Sequence, residues 1–310
     1  MAKNIAASRQ KKPGGLSDKV SDIVLVVICA AVMLIVAYPL YYVLVASFSD
    51  PYDVYAGKTF LLPSQFTLKG YQAVFADSAL FSGFMNSIKY TVIGTIYSVV
   101  MIYLVVYPLS VKDLPGRKYI SLFFVITMYF GGGLIPTYLI VKDLGLLNKA
   151  YTLVVLGSVS VYNLIVTRSF FQSTLPDALF ESARIDGASE GRMFFSIALP
   201  LSGSILAVMA LYYGVARWNE FFNALIYVSN VEYQPLQLVL RSLLLQSQQA
   251  VLDAALTNDS EMLADAARLA LMAEAMKYAI IFIASAPLLV AYPFVQKHFV
   301  KGVMIGALKG

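Results

Sequence analysis

The sequence predicts an all-α polytopic membrane protein with six transmembrane helices and a cytoplasmic helix-turn-helix. Of its 310 residues, 59% are hydrophobic and only 13% are charged, and the mean hydropathy is +0.72. These values lie outside the range of soluble globular domains. The apolar runs are continuous and about 20 residues long, which is the length that a helix needs to cross the hydrocarbon core. A membrane β-barrel would instead show short segments of alternating polarity.

Six apolar segments are predicted to span the membrane and to form one domain over residues 21–297. A polar N-terminal tail (1–20) and a C-terminal tail (298–310) flank this domain. The predicted spans lie at about 21–48, 87–111, 119–141, 151–171, 200–221 and 277–297.

Two longer segments are predicted to lie outside the cell membrane. Segment 49–86 contains Pro, Gly and aromatic residues and is expected to be an ordered loop with short helices. Segment 222–276 is rich in Ala and Leu and is expected to be helical, with a candidate N-cap at Asn258 or Asp259.

The distribution of charge predicts the orientation. The N-terminal stretch "MAKNIAASRQKKPGG" is basic and has no features of a cleaved signal peptide. With this tail inside, most of the 23 basic residues and a minority of the 18 acidic residues fall on the inner side. A basic excess in short loops marks the cytoplasmic side, so both termini are predicted to be cytoplasmic. The net charge of +5 is thereby explained without nucleic-acid binding.

The longest predicted inner segment, 172–199, interrupts the apolar pattern with polar residues and glycine. Thr174 and Asp177 have the spacing of a capping box, which predicts a short helix over about 176–186. Gly187 follows where a helix commonly ends in a left-handed residue.

A second short helix is predicted to start at Ser189 and to lead into the fifth span, which Pro200 would open. On the first helix, Leu179, Ala183 and Asp186 are spaced to share one side. From the residues alone, this unit is either a docking element for a cytoplasmic partner or an amphipathic helix resting on lipid headgroups.

The same segment resembles the "EAA" cytoplasmic loop of ABC importer permeases, whose pattern reads E-A-A-x-x-D-G-A followed by I-x-L-P. Ser182 replaces the middle alanine by another small residue. The matching positions are Glu181, Ala183, Asp186, Gly187, Ala188, Phe194, Ile197, Leu199 and Pro200.

Other segments extend the resemblance over essentially the whole chain. "ARWNEFFNALIYVSN" (216–230) is similar to the end of the fifth span in carbohydrate permeases, and "YPFVQKHFVKGVMIGALKG" (292–310) to the tail of the maltose-permease type. "FGGGLIPTYLIVKDLGLLNK" (130–149) resembles the subgroup that imports complex oligosaccharides.

The resemblance implies that the loop is a coupling helix seated in a cleft of a separate ATPase. The coupling residues would be Glu181, Ser182, Ala183, Asp186, Gly187 and Ala188. The C-terminal tail would reach into the same ATPase dimer through Lys301, Gly302 and Gly310.

The resemblance also implies the remaining partners. A second homologous permease subunit, two ABC ATPase subunits and an extracytoplasmic solute-binding protein would complete an importer in the cytoplasmic membrane of a prokaryote. ATP and Mg²⁺ would bind to the ATPase, and this chain would bind no cofactor. The transported solute would be a sugar or oligosaccharide.

Three aromatic residues and one asparagine near the end of the fifth span are candidates for the sugar pathway. Aromatic rings with a polar group suit sugars by stacking and hydrogen bonding, although packing is the plainer explanation for any one of them. The candidates are Trp218, Asn219, Tyr212 and Tyr213.

Several motifs of catalytic and nucleotide-binding sites are missing from the sequence. No G-x-x-x-x-G-K-[ST] loop is present, so the chain cannot hold ATP phosphates in that way. His298 is the single histidine, which excludes a multi-histidine metal site and leaves no basis for a catalytic triad. The triple glycine at 131–133 favours close helix packing, with a helix break as the alternative.

Ionisable residues within the spans are scarce. Lys89, Arg168, Arg217 and Glu220 all lie near predicted span ends, where long side chains are expected to reach the interface. This weighs against an ion-gradient-driven carrier acting alone, which usually needs intramembrane charges. An ABC importer of a non-sugar solute remains an alternative, because importers of sugars and of other solutes share the loop pattern.

Overall fold

A computed structural model of the chain describes residues 16–257 and 260–307. This part is helical, with one isolated antiparallel bridge between Ser49 and Phe66. Short π-helical (Phe194–Ala198) and 3₁₀ (Val231–Tyr233) segments occur between α-helices. The α-helices are α1 (Leu16–Ser47), α2 (Pro51–Tyr55), α3 (Lys69–Ala76), α4 (Ser78–Ser110), α5 (Arg117–Tyr129), α6 (Leu134–Asp143), α7 (Thr152–Val155), α8 (Val161–Thr174), α9 (Asp177–Ile185), α10 (Glu190–Met193), α11 (Leu199–Leu201), α12 (Gly203–Trp218), α13 (Phe222–Tyr227), α14 (Leu236–Thr257) and α15 (Ser260–Ala307).

Three of the described helices are long and apolar enough to cross a membrane. They are α1 from Val20 onward, α4, and α15 as far as Val290. Two sharply bent pairs raise the number to five if each pair is one span: α5 with α6, bent by 118°, and Glu190–Leu201 with α12, bent by 80°. The count of six spans stays a prediction.

The predicted third and fourth spans are not continuous helices. The third is broken between Tyr129 and Leu134, and the fourth is divided into α7 and α8 by an irregular stretch at 156–160. The predicted second span is longer than expected, because Asp77 caps α4 and accepts hydrogen bonds from the backbone N–H groups of Ala79 and Leu80.

The triple glycine forms the break between α5 and α6. Gly133 has φ +84° and ψ −178°, a conformation that is essentially restricted to glycine. A Cβ atom at Gly131 or Gly133 would meet nothing within 4 Å in the described chain. The preferred explanation, close helix packing, is therefore wrong within this chain, and the alternative of a helix break is correct.

The core lies around α4, which packs against α7, α8, α12 and α14. Fully buried side chains at its centre include Ile102, Val106, Leu164 and Met209. A second apolar cluster joins the start of α4 to α14 and α15.

Helix α1 lies largely outside this core. Its apolar side chains are exposed along most of its length, and none of its best apolar window is buried. A helix that is apolar on all sides needs a lipid or protein environment, which is typical of a membrane span at the edge of a bundle.

The two longer connecting segments have the predicted secondary structure. Helices α2 and α3 lie within 49–86, where Asp50 caps α2 and pairs with Lys69 at 3.0 Å. The hydrogen bond from Lys69 lowers the pKa of the Asp50 carboxyl group. Segment 222–276 contains α13, the 3₁₀ turn Val231–Tyr233, α14 and the start of α15, whereas Asn258 and Asp259 lie outside the described residues.

The predicted C-terminal tail continues the last helix. Helix α15 runs without interruption to Ala307, so Lys301 and Gly302 lie in helical backbone. Gly310 lies outside the described residues.

Candidate functional site

The candidate coupling loop begins with α9 and a glycine elbow. The Ala188 N–H donates to the Ala183 carbonyl at 2.9 Å, and the Gly187 N–H donates to the Arg184 carbonyl at 3.0 Å. These are the two hydrogen bonds of a Schellman motif. Gly187 has φ +75°, and a Cβ atom there would meet nothing within 4 Å. Glycine is favoured at this position by the backbone conformation and not by lack of space.

The second half of the loop starts as predicted and then differs. The Ser189 hydroxyl accepts a hydrogen bond from the Arg192 N–H at 3.3 Å, which confirms Ser189 as an N-cap. The helix continues through the π-helical segment to Leu201 and bends into α12 near Ser202. Pro200 lies within this helix, so the prediction that it opens the fifth span is wrong.

The predicted capping box at Thr174 is also wrong. Thr174 is the last residue of α8, and Pro176 is the N-cap of α9 without a side-chain hydrogen bond. The reason is the proline, which disfavours helical backbone at the preceding Leu175 and so ends α8 there. Asp177 instead pairs with Lys112 at 2.5 Å, and this hydrogen bond raises the pKa of the Lys112 amine.

The inner face of the loop is bound to the end of α4. The Tyr107 hydroxyl donates to Glu190 Oε2 at 3.0 Å, and Arg184 Nη2 pairs with Glu190 Oε1 at 3.2 Å. The Tyr107 ring lies near those of Phe180 and Phe194, with centroid distances of 6.4 and 5.1 Å. A cavity of about 250 Å³ separates the ends of α4 and α8 from α9.

The outer face of α9 is open. Of the predicted coupling residues, Glu181, Ser182, Asp186 and Gly187 are exposed, and Ala183 and Ala188 are half-buried. The structure adds a residue that the sequence reasoning missed. Ile185 is 86% exposed and lies four residues after Glu181, so the two share one side of the helix. The signal in the sequence was an isoleucine between two charged residues.

The predicted pathway residues separate into two pairs. Trp218 is 4% exposed, donates from Nε1 to the Ala284 carbonyl at 2.9 Å, and so joins α12 to α15. Tyr213 is 3% exposed, and its hydroxyl accepts from the Ser160 N–H at 3.0 Å. Tyr212 and Asn219 are exposed. Their roles in a sugar pathway stay predictions, and the first pair also has a clear packing role.

Arg217 corrects the expectation that charges near span ends reach the interface. Its side chain is 5% exposed and lies inside the bundle. It donates to the carbonyls of Leu153, Val154 and Leu156 at 2.5 to 3.1 Å and to the Ser98 hydroxyl at 3.2 Å. The last carbonyls of a helix have no partner within it, so the guanidinium group completes the end of the single-turn helix α7.

The other three charges are arranged differently. Lys89 is exposed, Glu220 accepts from the Asn223 N–H at 3.2 Å, and Arg168 Nη1 donates to Ser121 at 2.9 Å. Within the described part of the chain, no three His, Cys, Asp or Glu side chains lie together as metal ligands would.

Comparison with known proteins identifies the family. No family model matches the chain. The chain is 38% identical over 294 residues to the protein LplC of Bacillus subtilis, covering 95% of this chain and 96% of that one. It is also 36% identical to the polygalacturonan/rhamnogalacturonan transport system permease protein YtcP of B. subtilis, covering 89% and 94% of the two chains. The chain belongs to the permease subunits of sugar ABC importers.

A solved structure extends the similarity to three dimensions. The permease matches a chain from the crystal structure of a bacterial ABC transporter involved in the import of the acidic polysaccharide alginate. The TM-score is 0.82 with 29% identity, over 93% of this permease and 99% of that chain. Membership of this family means ATP-driven transport, so the alternative of an ion-gradient-driven carrier is set aside.

Proposed function

We propose that this permease imports an oligosaccharide derived from an acidic polysaccharide, with energy from a separate ATPase that docks on the outer face of α9. The substrate class is supported by two similar proteins, which are named for polygalacturonan/rhamnogalacturonan transport and for alginate import. The docking site is supported by the glycine elbow, which holds α9 against α4 and leaves its outer face open.

The chemistry of that outer face favours a protein partner over a lipid surface. Helices that rest on a membrane present large apolar residues toward it and basic residues beside them. The exposed side of α9 carries Glu181, Ser182 and Asp186, and Ile185 is its one strongly exposed apolar residue. Anionic headgroups would repel the two carboxylates, whereas a protein cleft could bind Ile185 and pair with them.

The proposed assembly contains a second homologous permease, two ATPase subunits and an extracytoplasmic solute-binding protein. The ATPase would hold ATP and Mg²⁺, and this chain would take no part in catalysis. Six spans with both termini in the cytoplasm would place α9 and the ATPase on the same side. The unpacked apolar surface of α1 is available for lipid or for the second permease.

The first test is purification of the tagged permease from its host in mild detergent, with co-purifying proteins identified by mass spectrometry. We expect an ATPase with a phosphate-binding loop and a second permease. Uptake assays should then compare oligogalacturonate and alginate oligosaccharides with neutral arabinooligosaccharides. Uptake of only the neutral sugars would overturn the substrate class, and recovery of the chain alone with active uptake would overturn the ATPase partnership.

A crosslinking experiment tests the docking face itself. Cys29 is the single cysteine, so an Ile185→Cys variant in a Cys29→Ser background carries one thiol on α9. We expect a short thiol–amine crosslinker to join it to the ATPase. Tyr55→Cys in the same background is the matched control, because Tyr55 is 71% exposed but lies in the segment predicted to be extracytoplasmic. Crosslinking from Tyr55 and not from Ile185 would contradict the proposed orientation.

A further inference from the structure

A basic cavity that is largely open to the surface lies where the loop after α4 leads into α5. Its volume is about 530 Å³, and no Asp or Glu is among the described residues that line it. Four cationic side chains line it together with Leu114, Gly116, Tyr119 and Ser121: Lys112, Arg117, Lys118 and Arg168.

Three of these charges have no acidic partner in the described structure. Lys112 is neutralised by Asp177, but Arg117, Lys118 and Arg168 form no ion pair within 4.0 Å among the described residues. The Nε atom of Arg168 is buried and has no hydrogen-bond partner. A buried donor without an acceptor is costly, and like charges around one cavity repel each other.

The backbone adds to the positive potential of the cavity. Arg117 is the first residue of the 13-residue helix α5, and its N-cap, Gly116, provides no side-chain acceptor. Cationic residues are unfavourable at a helix N-terminus, where the helix dipole is positive. The Arg117 N–H donates to the Leu114 carbonyl, so the start of α5 is only partly open. One bound anion would still stabilise the guanidinium groups that lack an ion pair, the orphaned Nε atom and the positive end of the helix dipole.

The surface beside the cavity indicates which anion it is. Tyr119, Leu122, Phe123 and Ile126 are all exposed and are spaced to form one stripe along α5. None of the residues of α5 is buried. This stripe gives acyl chains an apolar surface that starts at the cavity.

We propose that the cavity binds the phosphate of an anionic phospholipid, with the acyl chains along the exposed stripe of α5. Basic pockets between membrane helices on the cytoplasmic side are suited to such headgroups. The inference rests on the proposed function for its orientation, because it requires the start of α5 to lie at the cytoplasmic headgroup level. A bound lipid would fix the position of α5 beside the proposed coupling loop.

Native mass spectrometry of the delipidated permease, purified with its partners, tests the site. We expect phosphatidylglycerol to bind in preference to phosphatidylcholine. The double variant Arg117→Gln/Lys118→Gln should weaken phosphatidylglycerol binding by about tenfold or more, because a hydrogen bond to a charged group contributes at least that factor. This variant leaves the contact between Arg168 and Ser121 intact, so loss of folding is not expected.

The matched control is Lys142→Gln/Lys149→Gln, which removes two exposed lysines outside the cavity. Equal binding by both double variants would overturn the proposal. Inorganic phosphate that bound as tightly as the lipid would reassign the cavity to a soluble anion, and a partner carboxylate crosslinked to Lys118 would reassign it to a subunit interface. Co-purification of the ATPase without lipid preference would refute this site alone. A lipid preference in a chain that is recovered without an ATPase but is still active in uptake would refute the proposed function and leave this site standing.

Discussion

Replacement of Gly187 tests the proposed coupling loop most directly. The residue forms the elbow between α9 and α10 in a left-handed conformation, φ +75°. Alanine or valine adds a Cβ atom that meets nothing within 4 Å, so neither clashes with the described chain at that atom. The whole effect of Gly187→Ala should therefore come from backbone conformation.

The magnitude follows from that conformation. A residue other than glycine costs about 1–2 kcal/mol in the left-handed region. The two hydrogen bonds of the elbow, at 2.9 and 3.0 Å, stabilise this left-handed conformation. If docking needs the elbow, about 1–2 kcal/mol lowers the population of the competent loop by roughly 5- to 30-fold. Valine should have the larger effect, because a β-branched side chain is especially unfavourable at positive φ.

The assay uses the complete importer in proteoliposomes, with ATP hydrolysis and sugar uptake measured together. We expect Gly187→Ala and Gly187→Val to lower uptake progressively while assembly of the subunits persists. Gly191→Ala is the matched control, because Gly191 also has nothing within 4 Å of an added Cβ but lies in ordinary helical backbone. Wild-type uptake by Gly187→Val, or an equal loss in Gly191→Ala, would refute the reasoning.

Three further changes probe the contacts of the described chain. Arg217→Met should lower the stability of the purified permease by roughly 3 kcal/mol or more, since three carbonyls lose a buried donor at about 1–3 kcal/mol each; unchanged thermal unfolding would refute this. Trp218→Phe removes the hydrogen bond to the Ala284 carbonyl and should cost about 1 kcal/mol with sugar affinity retained; a change in affinity alone would favour a pathway role. Because the pair of Lys112 and Asp177 is exposed, Lys112→Gln should leave thermal stability unchanged at low and high salt, and a salt-dependent loss would contradict that.

Local signals in the sequence predicted the turn and the second cap of the loop. The turn at Gly187 and the cap at Ser189 depend on residues within four positions of each other, so their chemistry can be read from a short segment. The capping box at Thr174 failed for a reason that is also local. Pro176 determines the conformation of Leu175, and this preference ended α8 before the box could form.

The broken helices and the buried arginine could not be predicted in the same way. A continuous apolar run predicts that a segment lies in the membrane, but it does not show whether the helix is straight. The glycines at 131–133 are compatible with close helix packing and also with a break in the helix. The bonds of Arg217 join carbonyls that are 61 to 64 residues away in sequence. Only the fold brings α7 to the end of α12, and the sequence does not show this contact. The sequence shows only that Arg217 lies near a predicted span end, which is why its side chain was expected to reach the interface.

The arrangement of the loop makes Tyr107 one link by which movement of α9 would reach the bundle. Its hydroxyl donates a hydrogen bond to Glu190 at the start of α10, and its ring lies near those of Phe180 in α9 and Phe194. Displacement of the loop must therefore act on the end of α4, which packs against α8 and α12.

Tyr107→Phe removes the hydroxyl bond and keeps the ring, so we expect the importer to assemble and hydrolyse ATP but to transport less sugar per ATP. Tyr97→Phe is the control, because it removes a hydroxyl from the same helix away from the loop. If the two variants transport the same amount of sugar per ATP, the bond between Tyr107 and Glu190 does not carry the movement.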